Sequence, residues 1–550
     1  MATILGLMTD QRWLTSQSET YVRLNRCKEA RIAYRVTEDV RGRFATLEGQ
    51  WKASKGKQIF EASCLRTFSS SSETAQWSKA RLIDWLRRAG WGAVSHRIGT
   101  WSDQKMNRVC RNPFSLYWMR LLPFGAADAL HRLAGGTRTD ARRIQAGVQS
   151  VLKEQVTQGH IGVSLERLTV LLGDRLCVDS EELRSLSFYL HPKVAVEQDG
   201  QIVLAEVVRQ LSQVDRCLAT NQMQMTNYVD PRLAELLSYT YTVVTGPAGS
   251  GKTELLRRAV TACQADGLRV AVTATTGKAA SLLGRVAQTV HRLLKYGPHG
   301  FSRRVLPHDV VFVDEASMLT LPVLVALLRV VRGAVIFSGD PRQLPPVHGI
   351  SVFGYLLKHL PVLALDKVAT TWGEIASVPV DTFCHDSTES VLDHLDREVQ
   401  ACRGGGKSVQ VLSPVKESPL GTQHLNRWLQ TKLNPDGAVV TSRLRIGDPI
   451  IVQRNAYDLP VPVFNGQTGV VTGLQEGRVV MRLDVGGEAF VPESNLELAY
   501  CLTVHKAQGS RFPVVIFVIP EHSHRSFTRD QRLQYVGRTR GLERTVCLVH

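Results

Sequence analysis

Apolar and polar positions change rhythm along the 550 residues. Between residues 20 and 67 they alternate in short runs, clearest at Ile32 to Val36, Phe44 to Gly49 and Gln58 to Ala62. Period-two alternation marks half-buried strands, so residues 1–70 are predicted to form a small OB-like β-barrel. Residues 71–145 take up helical spacing, with Gly90-Trp91-Gly92 between two helical patterns. Residues 146–230 continue as a small helical or winged-helix-like module. From 239 the pattern becomes strand, loop, helix, repeated. Tyr241–Thr245 is a predicted strand and Thr253–Ala265 a helix; Leu268–Ala274, Val310–Val313 and Ala334–Ser338 are further strands. A second set opens at Val409–Ser413 and closes with Val514–Ile519 and Thr545–Val549. Uniformly apolar strands separated by helices imply parallel sheets covered on both faces. Residues 443–497 are β-rich instead, with a turn signal at Asn465-Gly466, and read as a small barrel inserted into the second α/β domain.

Composition sharpens this picture in three ways. The chain carries 67 Lys and Arg against 50 Asp and Glu, a net charge of +17, which points to a polyanionic partner. The longest apolar stretch, Leu321 to Phe337, is broken by Arg329 and Arg332 and falls short of the roughly 18 apolar residues of a membrane span. The apolar start Ile4 to Met8 runs into Asp10 and Arg12 and lacks the form of a secretory leader. The ten cysteines include no CxxC pair. Reduced thiols in a bacterial-type cytoplasm are the expectation, and no membrane association is expected.

The candidate chemistry lies after Tyr241. Gly246-Pro247-Ala248-Gly249-Ser250-Gly251-Lys252-Thr253 matches GxxxxGK[ST] after a strand and at the start of a helix. In that setting backbone amides wrap phosphates, Lys252 reaches the β- and γ-oxygens, and Thr253 can ligate Mg²⁺. Val310-Val311-Phe312-Val313-Asp314-Glu315 delivers two carboxylates to the end of a buried strand. Asp314 would hold Mg²⁺ through water, and Glu315 would orient and deprotonate the attacking water. Gln343, in Gly339-Asp340-Pro341-Arg342-Gln343-Leu344-Pro345-Pro346, could sense a γ-phosphate; standing alone, the string would be read as a proline-rich loop. Arg540, at the end of Tyr535-Val536-Gly537-Arg538-Thr539-Arg540, is a candidate arginine finger. Gly90-Trp91-Gly92 and Leu122-Pro123-Phe124-Gly125 are candidate hairpins for a DNA backbone or plain helix–helix turns.

The ordered set GPAGSGKT, ATTGKAA (Ala274–Ala280), TVHRLL (Thr289–Leu294), VDEASM, GDPRQLPP, TVHKAQGS (Thr503–Ser510) and YVGRTR resembles the RecD-like superfamily 1B DNA helicases. The match covers about 239–550 well and the N-terminal part more weakly. The resemblance implies an α/β fold of two tandem RecA-like domains, 231–378 and 379–442 with 498–550. It makes 443–497 an SH3-like insertion, and places an OB-like domain and a helix-hairpin-helix region before them. It implies ATP and Mg²⁺ dependence and 5′→3′ movement. It places Thr276, Lys278, Thr289, His291, Thr503, His505 and Gln508 along a DNA channel, and makes Tyr296–Leu306 a pin hairpin that splits the duplex. Two departures stand out. Asn227 to Leu233 lacks the adenine-reading glutamine, and Thr370 stands where an arginine is expected.

The resulting reading is an ATP-dependent helicase or translocase that binds single-stranded and tailed duplex DNA in repair or recombination. The alternative is a DNA-stimulated ATPase that switches or recruits without processive unwinding; a DNA-binding module with a dead nucleotide site is the weakest reading. No nuclease constellation is visible, so such an activity would come from a protein partner, a nuclease or recombination factor.

Overall fold

The computed structural model describes residues 78–179, 183, 190–222, 230–284, 286–298, 300–365, 378–456, 459–484, 486–520 and 531–550, and the backbone alone of five strands within 2–68 and of 281–282. Thr370, and Asn227 to Val229 of the stretch where a glutamine is expected, lie outside the described residues. The chain divides into two compact units, 1–210 with 348–350, and 211–347 with 351–550.

The first unit opens with a closed barrel of five strands, Ala2–Leu14, Glu19–Leu24, Lys28–Ile32, Phe44–Ser54 and Lys57–Phe68. The first strand pairs with the second and the fourth, and the third runs parallel to the fifth, with Ala30 opposite Phe60. The third strand ends at Ile32, so the alternation read over Ile32 to Val36 belongs to its last residue only among those described. Helices follow. Gly90 takes φ +85° in the turn between Lys79–Arg88 and Gly92–Gly99, which pack around Leu82, Leu86 and Ile98. The helices Phe114–Trp118 and Phe124–Leu133 flank the second turn. Helix Ala141–Thr157 is pinned by a fully buried ion pair, Arg143 Nε donating to Asp128 Oδ1 at 2.6 Å. Helix Leu165–Leu176 and a three-stranded antiparallel sheet of Gly162–Val163, Gln201–Leu204 and Ala195–Gln198 follow.

The second unit holds two parallel sheets. The first has strand order Gln288–Thr289, Val270–Ala274, Val310–Asp314, Ala334–Gly339, Tyr241–Thr245, Val362–Ala364. Its central strands read as continuous apolar runs because they are buried at every position, and on one face Val244, Phe312 and Ile336 pack with Leu256 and Ala259 of helix Lys252–Ala265. The second sheet runs Val380–Cys384, Gly541–Val549, Phe512–Ile519, Val409–Ser413, Cys501–Thr503. Between its strands in sequence lies an antiparallel five-stranded sheet over 449–498 with its own core of Ile450, Val471 and Met481. The Asn465-Gly466 turn is present, with Gly466 at φ +86°, but it leads into the strand Thr468–Gln475 rather than closing a two-strand hairpin. Among the described residues no helix is long and apolar enough to cross a membrane.

Candidate nucleotide site and lobe interface

The loop Gly246–Gly251 joins the strand Tyr241–Thr245 to the helix that opens at Lys252. Glycine is required at Gly246, where a Cβ would lie 2.6 Å from Ser250 Oγ and 2.8 Å from the Leu365 carbonyl. Lys252 folds back over the loop and donates to the carbonyls of Gly246 and Pro247 at 2.6 and 2.8 Å. Burial pulls its ammonium below the ordinary lysine range, and the carboxylates of Asp340, Glu315 and Asp314 oppose that shift. Ser250 Oγ is buried with no hydrogen-bond partner.

The strand Val310–Asp314 delivers its carboxylate next to this loop, as alternation of strands and helices in a parallel sheet dictates. Asp314 Oδ2 accepts from Thr253 Oγ1 at 3.2 Å, and Oδ1 accepts from Ser338 Oγ and the Glu315 amide, both at 2.9 Å. Glu315 has left-handed backbone, φ +53°, which costs about 1 kcal/mol for a residue with a Cβ. Thr275 of ATTGKAA holds that turn, its hydroxyl donating to the Glu315 carbonyl at 2.9 Å. Desolvation, and then the neighbouring Asp314, push the Glu315 carboxyl up to about 7, while Arg540 and Lys252 act to lower it.

The second lobe closes over these groups. Tyr535 donates to Asp340 Oδ2 at 2.7 Å and accepts from the Ala248 amide at 3.1 Å, so one hydroxyl bridges the P-loop and the Gly339–Pro346 loop. Gln508 Nε2 donates to Gln343 Oε1 at 3.1 Å. Arg540 is buried; its guanidinium donates to the carbonyls of Val536 and Ser510 and to Thr539 Oγ1. Gly509, at φ +77°, runs past Glu315, whose Oε1 lies 4.0 Å from where a Cβ on the glycine would sit.

The family models agree with this division. The AAA domain matches residues 232–374 and the UvrD-like helicase C-terminal domain matches 498–546. The ATP-dependent RecD2 DNA helicase of Deinococcus radiodurans is 31% identical over 553 residues, covering 86% of this chain and 75% of that protein. The chain belongs to the RecD2 family of ATP-dependent DNA helicases. The RecBCD enzyme subunit RecD of Mycolicibacterium smegmatis is 30% identical over 381 residues, 56% of this chain and 68% of that protein. A crystal structure of Bacteroides Pif1 bound to ssDNA aligns with 58% of this chain and 92% of its own at 18% identity, with a TM-score of 0.39.

As a RecD2-family chain, it repeats one device in both lobes. Thr289 ends a strand that pairs in parallel with Val270–Ala274, and Thr503 ends one that pairs with Val409–Ser413. Each threonine then caps the helix it precedes, accepting from the Arg292 amide at 3.2 Å and from the Lys506 amide at 3.3 Å. Thr276 caps Gly277–Leu283 in the same way. These hydroxyls therefore serve as caps, and Thr289, Thr503 and Gln508 are buried. Lys278 lies with its ammonium 5.7 Å from the Phe512 ring, and the glycine before it faces the insertion: a Cβ on Gly277 would lie 2.8 Å from Phe464 Cβ. His291 is more exposed and packs its ring on Tyr296 and Phe301, while His505 is half-buried. The hairpin at Tyr296 is shorter than its sequence suggests. Among the described residues only Tyr296-Gly297 and Gly300-Phe301 pair as strands; Ser302 and Arg303 donate their amides to the Lys295 and Leu294 carbonyls, and Leu306 is buried with its amide on the Val330 carbonyl. The apolar Leu306 is drawn into the core of the first lobe, which removes it from the hairpin.

Sequence reasoning passed over three residues of this site. Asp340 and Tyr535 lie inside recognised strings but carried no assigned role, and Arg511 lies one residue beyond TVHKAQGS.

Proposed function

We propose that this chain hydrolyses ATP to move 5′→3′ along single-stranded DNA and to part a duplex in repair or recombination. The observation that carries the reading is that Tyr535 and Arg540 of one lobe meet the P-loop and Glu315 of the other, where Lys252, Thr253 and Asp314 lie, while Gln508 reaches Gln343 on the neighbouring loop. A nucleotide held there would tie its own hydrolysis to the relative position of the lobes.

Lys252 is assigned to the β- and γ-phosphate oxygens, for which its present carbonyl partners are stand-ins. The loop Gly246–Gly251 would wrap the phosphates with its amides. Thr253 and Asp314 present adjoining oxygens that fit Mg²⁺, which when bound supplies positive charge against the phosphates. Glu315 is the base. It orients a water and takes its proton at a carboxylate oxygen as the water oxygen bonds to the γ-phosphorus and the bond to the leaving ADP oxygen breaks. A carboxyl lifted towards 7 suits that task, because proton transfer is best served by a base poised near the working pH. Gln343 links this chemistry to the second lobe through Gln508, and Arg540 brings positive charge to the same carboxylate.

Thr276, Lys278, Thr289, His291, Thr503, His505 and Gln508 are assigned to a DNA channel along both lobes, supported by the paired Thr–Val–His elements and by the net charge of +17. The hairpin at Tyr296 is assigned as the wedge. The barrel connectivity supports an OB-like domain at 1–70, and the Gly90 turn a helix-hairpin-helix region at 71–145, with a winged-helix-like module at 146–230; 443–497 is assigned as the SH3-like insertion in the lobe 379–442 and 498–550.

The test is DNA-stimulated ATPase measured beside unwinding of 5′-tailed and 3′-tailed duplexes. Unwinding of the 5′-tailed substrate alone is the expected result. ATPase without unwinding of either would favour a switch or recruiter, and no ATPase would end the reading. Lys252→Ala should abolish turnover and leave DNA binding intact, because the phosphate-binding cation and the DNA surface are separate.

A further inference from the structure

The loop Gly509-Ser510-Arg511 is held from both sides. Phe512 donates its amide to the Arg540 carbonyl at 2.9 Å, and the Arg540 guanidinium donates to the Ser510 carbonyl at 3.3 Å. So braced, the loop projects Arg511 out of the second lobe and onto the P-loop of the first. Arg511 Nη2 and Nη1 lie 2.9 and 3.4 Å from where a Cβ on Gly249 would sit. The guanidinium therefore rests on bare P-loop backbone, and the φ of +90° is what calls for glycine at Gly249.

Arg511 brings a like charge close to two others. Burial is the larger force against the charged forms of Lys252 and Arg540, and the Arg511 charge adds to it; Glu315 acts on Arg511 in the opposite sense. Three cations gathered at one loop repel one another, and the arrangement is offset when a polyanion enters among them. Two hydroxyls, Ser250 Oγ on the P-loop and Ser510 Oγ next to Arg511, are buried without a hydrogen-bond partner. The residue itself remains exposed, as a group waiting at the mouth of a cleft would be.

We propose that Arg511 is a phosphate-binding residue that the second lobe supplies to the nucleotide held by the P-loop, and that Arg540 positions it through the Ser510 carbonyl. This rests on the ATPase reading above. A guanidinium can engage two phosphate oxygens at once, which suits it to the β- and γ-groups over Gly249. On this assignment two arginines of one lobe serve the same nucleotide. Arg511 touches its phosphates over Gly249, and Arg540, the candidate arginine finger, also braces the loop that carries Arg511.

The experiment uses the full chain and its Arg511→Ala, Arg511→Gln and Arg511→Lys variants. ATPγS and ADP binding are measured by titration calorimetry without DNA, and circular dichroism without nucleotide reports folding. Loss of a hydrogen-bonded charge should raise the Kd for ATPγS about ten- to a hundredfold in Arg511→Ala and Arg511→Gln. Arg511→Lys should recover part of it, because a point charge replaces a fork. A folded Ala or Gln variant that binds ATPγS as tightly as the parent overturns the assignment. A parent chain that fails to bind ATPγS overturns the ATPase reading instead, so the two failures are distinct.

Discussion

Gln508 of the second lobe donates its side-chain amide to Gln343 of the first at 3.1 Å, and both side chains are buried. Gln343 follows the strand beside the P-loop strand, and Gln508 follows the helix that Thr503 caps. A change on either side is therefore carried to the other by one short, desolvated contact. Removing one partner strands a buried acceptor or donor, at about 1–3 kcal/mol.

The first prediction follows from that pair. Gln508→Ala and Gln343→Ala should each lower DNA stimulation of ATPase about tenfold, the equivalent of about 1.4 kcal/mol, with little change in KM for ATP. The double variant should be no worse than either single one, because the two side chains act through each other. Additive losses in a double-mutant cycle would mean that the glutamines act separately.

Glu315 sets the pH dependence. Its carboxyl is raised to about 7, and a base works only when ionised, so turnover should rise with pH and level off above about 7. Arg540 acts to lower that value. Arg540→Met should therefore shift the acid limb to higher pH as well as slow the reaction. Glu315→Gln should abolish the limb and slow turnover by roughly 10²–10⁴-fold while ATPγS still binds. Profiles of kcat against pH at saturating DNA decide it; a limb that persists in Glu315→Gln belongs to another group.

Much of this site was legible in the sequence for a physical reason. A phosphate loop must have glycine at set positions and a lysine at its end, and a buried parallel strand must end where its carboxylates can leave the sheet, so spacing alone located Lys252, Asp314 and Glu315. Arg511 was not legible, because a single arginine after Gly-Ser reads as surface charge until the fold sets Gly249 beneath it. The left-handed backbone of Glu315 left no sign, since glutamate does not advertise that conformation as glycine or asparagine does. The resemblance gave the hairpin as Tyr296–Leu306, and only the fold shows Leu306 turning into the core. Threonines 276, 289 and 503 were read for DNA alone, although the Thr–x–x spacing before each short helix also signals a cap.

Stability of the first unit should depend on Asp128. It meets Arg143 through two hydrogen bonds, and Arg143 also donates to the carbonyls of Arg138 and Leu176. Both side chains are fully buried. Asp128→Ala leaves a guanidinium charge without its counter-ion and should destabilise by about 3–5 kcal/mol. Asp128→Leu with Arg143→Met removes both charges and should cost less. Urea unfolding followed by tryptophan fluorescence measures the difference. Equal losses in the single and double variants would remove the buried charge as the cause.

The last prediction concerns strand separation. Tyr296, Phe301 and His291 form one aromatic cluster, with Tyr296 and Phe301 ring centroids 4.9 Å apart and His291 5.4 Å from Tyr296. The cluster stiffens a hairpin of only two paired residues on each side, and Tyr296 is 60% exposed at its root. Such a rib can part base pairs because an exposed aromatic face can stack on a base as its partner is turned away. His291 stands in the helix capped by Thr289, so the rib is rooted in the element assigned to the DNA channel. Movement along a single strand needs only ATP turnover and grip; separation of strands also needs this wedge. Replacing Pro298–Ser302 by a short Gly-Ser turn, or Tyr296 and Phe301 together by alanine, should leave DNA-stimulated ATPase within about twofold and reduce duplex unwinding at least tenfold, about 1.4 kcal/mol or more on the unwinding step. Displacement of a protein block from single-stranded DNA should persist, because it needs no wedge. Retained unwinding in both variants would place the wedge elsewhere, and a parallel fall in ATPase would make the hairpin part of the DNA grip.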